Sequence, residues 1–247
     1  MFLRLLIAAG LLAGAACGGP AGSEAGPADA SGRIALPAPA LDGAMSVEAA
    51  LAARRSVRSY ADAGLTLAEA GQLLWAAYGV TKPMPEARAT MRGGYRTAPS
   101  AGAAYPLEVY LVAGRVEGLE PGLYRYLSDA HELEQVSVGD FRAELSAAAR
   151  NQAWVREAPL SVFWSWKQER LPDRYGTRGR ERYLNMDLGH SAQNVYLQAV
   201  ALGLGTVAVG AFDDAEVGRV IGLAEGEEPL YIMPVGRLAA DQPGSGT

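Results

Sequence analysis

The 247-residue chain has one cysteine, Cys17, and two histidines, His131 and His190. No disulfide can close within it, and a thiolate or imidazole metal centre has too few ligands to draw on. Lysine is scarce, with Lys82 and Lys167 the two present, and 22 Lys+Arg against 27 Asp+Glu leave a formal charge of −5. That balance excludes a nucleic-acid surface, which needs a net basic face. Long apolar runs are missing as well, since the N-terminal stretch Leu5 to Ala16 is too short and too rich in Ala and Gly to span a membrane as a helix. With no metal expected and no thiol pair, any redox chemistry must come from a borrowed group. What the chain does have is 49% hydrophobic and 20% charged residues, ample for a packed domain of ordinary size.

The N-terminus has a processing pattern. Met1-Phe2-Leu3-Arg4 supplies a positive start, Leu5 to Ala16 a short apolar core, and Leu12-Ala13-Gly14-Ala15-Ala16-Cys17 resembles the lipobox of bacterial lipoproteins, with Gly14 where Leu is usual. The expectation is a lipoprotein signal peptide over 1–17, lipidation at Cys17 through several acyl chains, and a cell-envelope location in which the lipid anchor is the one membrane contact. An ordinary cleavable signal and a cytoplasmic protein are the alternatives. Residues 18–45, rich in Gly, Ala, Pro and Ser without apolar period, read as a flexible linker, 46–239 as the folded domain and 240–247 as a disordered tail. No internal repeat is present.

Within the domain, helical and strand periods alternate. Ser46 reads as the cap of a helix through Arg54, and Thr66-Leu67-Ala68-Glu69 as a capping box opening a helix with Leu67, Ala70, Leu74 and Ala77 on one face. Strands are expected at Leu107 to Ala113, at Leu123 to Tyr126 with Leu133 to Val136 as a hairpin, at Leu160 to Trp166, Thr206 to Gly210 and Tyr231 to Val235. Helices are expected at Phe141 to Arg150, Tyr183 to Leu202 and Asp214 to Ile221. The pattern is α+β, a mixed sheet flanked by helices.

Two stretches hold the chemistry. Arg54, Arg55, Ser56 and Arg58 gather three guanidiniums and a hydroxyl where a helix gives way to extended chain, so Arg54, Ser56 and Arg58 project to one side, suited to a phosphate. Pro99-Ser100-Ala101-Gly102-Ala103-Ala104-Tyr105-Pro106 is a small-residue loop through which a planar ring can approach backbone amides. Together they suggest a flavin mononucleotide (FMN) site. Gly203-Leu204-Gly205-Thr206-Val207-Ala208 imitates a dinucleotide fingerprint but leaves a helix and opens a strand, the reverse of what that motif needs. Gly189-His190-Ser191-Ala192-Gln193 lacks the last glycine of a nucleophile elbow and lies in a helix.

These motifs, with Leu202-Gly203-Leu204-Gly205-Thr206 and Pro234-Val235-Gly236-Arg237 in the same order, make the chain resemble the FMN-dependent nitroreductase family, and within it the SagB-type dehydrogenase branch that includes the azoline oxidases. The resemblance implies a mainly antiparallel sheet flanked by helices, a homodimer with two FMN sites across the subunit interface, and ping-pong two-electron transfer through flavin N5 to or from a small organic substrate. It implies that Arg54, Arg55, Ser56 and Arg58 hold the FMN phosphate, that Pro99, Ser100, Ala101 and Ala103 lie against the ring and ribityl chain, that Val209, Gly210 and Ala211 face the reactive edge, and that Arg237 adds a phosphate contact. No catalytic acid or base is implied. Donors in keeping with the resemblance are NAD(P)H or, for an exported protein, a quinone or quinol system; the n-region lacks the twin arginines that carry folded flavoproteins across a membrane, so FMN is expected to load after export. Lys82 and Lys167 precede Pro83 and Gln168, so the Lys-Tyr pair associated with azoline oxidases is missing. An azoline dehydrogenase and a tethered flavin-binding protein without turnover remain as alternatives.

Overall fold

The computed structural model describes residues 32–84 and 91–239. The signal segment, Cys17 and the tail from 240 lie outside the described residues. In chain order the elements are β1 (Arg33–Ala35), α1 (Val47–Ala53), β2 (Leu65–Thr66), α2 (Leu67–Tyr78), β3 (Val80–Pro83), β4 (Gly94–Arg96), β5 (Leu107–Ala113), β6 (Val116–Glu117), β7 (Gly122–Leu127), β8 (Glu132–Val138), α3 (Arg142–Ala148), α4 (Ala153–Glu157), β9 (Leu160–Lys167), α5 (Gly176–Arg178), α6 (Leu184–Ala201), β10 (Leu204–Thr206), α7 (Asp214–Ile221) and β11 (Glu227–Arg237). Seven strands form one sheet in the order β1-β8-β7-β5-β9-β11-β10, every neighbouring pair antiparallel. β5 and β9 lie at its centre and are buried along almost their whole length, because helices cover both faces. On one face Leu73 and Leu74 of α2 and Val195 of α6 meet Leu111 and Trp164; on the other, Leu145 of α3 and Val217 and Ile221 of α7 meet Val112 and Phe163. This is the α+β arrangement the sequence predicts.

The caps behave as read. Ser46 Oγ accepts from the Ala49 amide, and Thr66 and Glu69 form a reciprocal capping box at the start of α2. Several boundaries differ. The linker assigned to 18–45 contributes a strand: β1 pairs with β8, and Ile34 and Leu36 are buried in the core, so the folded domain begins by residue 33. Two apolar residues among prolines carry too little period to be seen, and pairing with β8 is what orders them. The helix expected over Phe141 to Arg150 stops at Ala148 because Arg150 and Asn151 adopt positive φ, and α4 follows. The strand expected at Thr206 to Gly210 runs instead from Leu204 to Thr206: Gly203 at φ 68° ends the helix, and the chain pairs at once with β11. Val209 returns for one further pairing with Ile232.

Candidate functional site

α1 ends at Arg54, whose amide still bonds Ala50 while its own backbone is extended, so the next residues alternate in direction as the spacing predicts. Val57 turns inward; Ser56 pairs in parallel with Thr206, and the Val57 amide donates to the Thr206 carbonyl at 2.9 Å. Gly205 permits this approach: a Cβ there would lie 2.7 Å from Val57 Cγ1. On the outer side, the Arg54 guanidinium lies over the Tyr196 ring, 5.1 Å from its centroid, and Ser56 Oγ shares a 3.2 Å hydrogen bond with the Tyr196 hydroxyl. That hydroxyl also accepts from the Ala208 amide at 2.8 Å. Arg58 covers the Trp154 ring at 5.6 Å, and the buried Trp154 Nε1 finds no acceptor among the described residues. Arg55 turns back to the Ala52 and Arg54 carbonyls and lines a cavity of about 350 Å³ with Val57, Tyr196, Gly203 and Leu238. None of the ion pairs among the described residues engages Arg54, Arg55 or Arg58.

The small-residue loop is fixed by a carboxylate that the sequence reading passed over. Asp187, in the first turn of α6, accepts from the Ser100 hydroxyl and, at 3.1 Å, from the Ala101 amide; Ser100 Oγ in turn accepts from the Tyr105 amide at 2.9 Å. Burial pushes the Asp187 carboxyl up, opposed by the hydrogen bonds from Ser100 and Ala101. Ala103 and Tyr105 hold positive φ, and Gly102 at φ 59° leaves room for Tyr175, whose hydroxyl lies 2.2 Å from where a Cβ would stand. The segment Gln168 to Arg182 thus folds as short helical turns over this loop. Pro99 is exposed and Ala101 and Ala103 are half-buried, leaving the loop surface accessible.

At the third predicted stretch, the Val209 amide is engaged by Ile232 at 2.8 Å, whereas Gly210 and Ala211 are exposed. The Ala211 carbonyl accepts from Gln152, which places this turn at the start of α4 and beside Trp154. Arg54, Ser56, Arg58 and the 208–211 turn therefore share one surface through Tyr196 and Trp154. The partly exposed Arg237 guanidinium pairs through one nitrogen with Glu69 of α2 at 3.0 Å. Tyr196 and Asp187, both on α6, are the residues that sequence reasoning missed. The available signal was Asp187 itself, an acid in register with the buried Leu184, Leu188, Ser191 and Val195. The serine of the elbow-like motif is structural: Ser191 Oγ donates to the Ala77 carbonyl and accepts from Trp164 Nε1. Trp164 and Trp166 are both buried, in the core.

These residues fit a phosphorylated flavin. Three guanidiniums free of carboxylates, the Ser56 hydroxyl and an indole N–H without an acceptor form a donor set for an anion, and the Ser100 to Ala103 loop presents backbone and methyl groups to a flat ring. The nitroreductase family profile matches residues 51–237. A candidate nitroreductase of Methanocaldococcus jannaschii is 43% identical over 193 residues, covering 78% of this chain and 91% of that protein. The trifolitoxin-processing protein TfxB of Rhizobium leguminosarum bv. trifolii is 31% identical over 113 residues, 44% of this chain and 30% of its own length. The crystal structure of a candidate nitroreductase from Ralstonia eutropha superposes with a TM-score of 0.70 at 30% identity, covering 84% of this chain and 90% of that one. By motif, fold and these similarities, the chain belongs to the nitroreductase family of oxidoreductases.

Proposed function

We propose that the protein is an FMN-dependent oxidoreductase that moves two electrons in ping-pong fashion to or from a small organic substrate, with NAD(P)H or a quinone system as the other partner. The observation that carries this reading is the set of three guanidiniums, Arg54, Arg55 and Arg58, held without carboxylate partners beside Ser56, Tyr196 and the Gly210–Ala211 turn. The group bound there supplies hydride chemistry at N5. The protein's part is to neutralise the phosphate with Arg54, Arg55, Ser56 and Arg58, and to hold the Pro99, Ser100, Ala101 and Ala103 loop rigid through Asp187. Exposed amides of Gly210 and Ala211 are the donors available at the reactive edge; Val209 shapes the turn, since its own amide is engaged. Arg237 adds a further phosphate contact in this proposal, with one guanidinium nitrogen held by Glu69 at the start of α2.

A homodimer is part of this proposal. Val47 and Leu51 of α1 and Met186 of α6 are exposed apolar side chains at the ends of the elements that carry the site, and a second copy would cover them. Similarity to TfxB supports the SagB-type branch, while the missing Lys-Tyr pair argues against azoline oxidation as its reaction. We also propose that Cys17 is lipidated and holds the enzyme in the cell envelope.

The test is purification with spectroscopic identification of the bound cofactor, followed by stopped-flow reduction with NADPH, NADH or a quinol and reoxidation by a quinone or nitroarene. Yellow protein that bleaches and recovers is the expected result. Colourless protein that does not take up added FMN overturns the assignment, and coloured protein that no donor bleaches leaves a flavin binder without turnover. Palmitate labelling that vanishes in Cys17→Ala is expected for the anchor.

A further inference from the structure

A second concentration of arginine lies apart from the proposed cofactor surface and shares no residue with it. Arg92 precedes β4, Arg96 ends it, Arg125 belongs to β7, and Arg170 follows β9; with Glu108 and Ser128 they line a cavity of about 340 Å³. Glu108 on β5 is buried and bridges two of the four, Arg92 at 3.2 Å and Arg170. Arg125 pairs with Glu134 at 2.6 Å, and Asp129 stands exposed at the rim. Arg96 has no such partner. It is 8% exposed, and its guanidinium donates to neutral acceptors alone: the Tyr78 carbonyl at 2.9 Å, the Ser128 hydroxyl and the Arg92 carbonyl. The rings of Tyr78 and Tyr105 flank it at 4.7 and 5.2 Å. Its Nε, and that of Arg125, are buried without an acceptor among the described residues.

A purely structural network explains Glu108 with Arg92 and Arg170, but not Arg96. An isolated buried charge is costly. Four guanidiniums with Lys167 stand against Glu108, Glu134, Asp129 and Glu227, the last paired with Lys167 at 3.8 Å, which leaves one positive charge in excess, with Arg96 the most buried of the guanidiniums. The crowding registers on the cations themselves: burial and the neighbouring charge of Arg92 hold the Arg170 guanidinium down to about 10, and burial lowers Arg92 and Arg96 as well. Planar forks from four separate segments suit a tetrahedral dianion, with several charge-assisted hydrogen bonds at once. We propose that this cavity is a second anion site, which takes a small phosphate-bearing molecule between Arg92, Arg96, Arg125 and Arg170. The volume, at the low end for ligand sites, leaves room for the phosphate and a modest organic remainder.

This site stands independently of the flavin reading. The experiment is calorimetric titration of the full chain, with whatever cofactor it retains, using inorganic phosphate and pyrophosphate in a phosphate-free buffer. Binding is expected, weakened about tenfold or more in Arg125→Gln and in Arg170→Gln and unchanged in Arg219→Gln, whose exposed side chain lies in neither site. Both variants change partly exposed side chains, so folding is retained where Arg96→Gln risks it. Absence of binding heat overturns the proposal, as does weakening confined to Arg58→Gln, which would put the probe at the cofactor phosphate position. If pyrophosphate is silent but phosphatidylglycerol vesicles retain the protein through Arg125 and Arg170, the phosphate belongs to a lipid headgroup and the small-molecule assignment fails.

Discussion

Tyr196→Phe removes one oxygen from the centre of the proposed phosphate site and leaves the ring beneath Arg54 in place. In the native structure that oxygen accepts from the Ala208 amide at 2.8 Å and shares a hydrogen bond with Ser56 at 3.2 Å. Without it, the half-buried Ala208 N–H loses its acceptor, a loss of about 1 kcal/mol at the lower end of the range for unsatisfied groups. For a domain of this size that lowers Tm by about 2–4 °C. Ser56 loses the contact that orients its hydroxyl, so FMN affinity should fall by roughly twofold to tenfold. Fluorescence titration of FMN into cofactor-stripped protein measures the second effect and thermal unfolding the first. Ser56→Ala supplies the control: because both variants break the same hydrogen bond, the double variant should lose less affinity than the two single losses combined. Full additivity, or a Tyr196→Phe protein equal to wild type in both measurements, would refute the idea that Tyr196 joins the phosphate strand to the 208–211 turn.

Asp187, its carboxyl pushed up by burial, contributes stability that is complete below the unfolded-state carboxylate range and is lost as pH rises through the folded value. Asp187→Asn should therefore remove a component of stability that declines as pH rises through the acid carboxylate range, so that the variant's stability climbs more steeply with pH there than wild type in urea titrations; a variant that keeps the wild-type slope would show another group responsible. His131 works in the opposite direction: its Nε2 donates to the Pro37 carbonyl, its Nδ1 accepts from Tyr126, and burial lowers its pKa from 6.5. Its contribution is present above the unfolded value and lost as pH falls through the folded one, so His131→Gln should lessen destabilisation on acidification below neutrality, read by urea midpoints at neutral and mildly acidic pH. Gly205→Ala places a methyl 2.7 Å from Val57 Cγ1 and 2.9 Å from Leu238 Cδ2, and should cost about 1–3 kcal/mol in urea unfolding while weakening FMN binding; unchanged affinity would mean the Arg54–Arg58 segment does not depend on its contact with β10.

The legible features of the sequence were those whose chemistry is local. Ser46 and Thr66 announce their helices because a cap bonds an amide three residues away, and the Arg54–Arg58 alternation declares itself once α1 stops. The illegible ones are contacts across the fold. Asp187 reaches Ser100 over 87 positions, and Tyr196 reaches Ser56 over 140. β1 was hidden for the same reason, since three residues become a strand by borrowing the edge of β8. Arg237 shows the same limit: its pairing with Glu69 joins residues 168 positions apart, which no local pattern announces.

α6 explains why those two missed residues matter together. Asp187 and Tyr196 are nine positions apart on one helix, about 13.5 Å at the α-helical rise. One fixes the small-residue loop and the other the phosphate strand, and between them Asn194 donates to the Thr97 carbonyl at 3.1 Å. Ser191 fastens the same helix to α2 through Ala77 and to β9 through Trp164, so α6 cannot slide without breaking buried hydrogen bonds. The separation between the Arg54–Arg58 segment and the Ser100–Ala103 loop, the proposed phosphate and ring contacts, is thus set by a rigid element rather than by either loop. Loop substitutions at Pro99 or Ala101 should then alter local contacts alone, whereas removing one residue between Asp187 and Tyr196 would rotate one anchor by about 100° relative to the other and detach both binding segments at once.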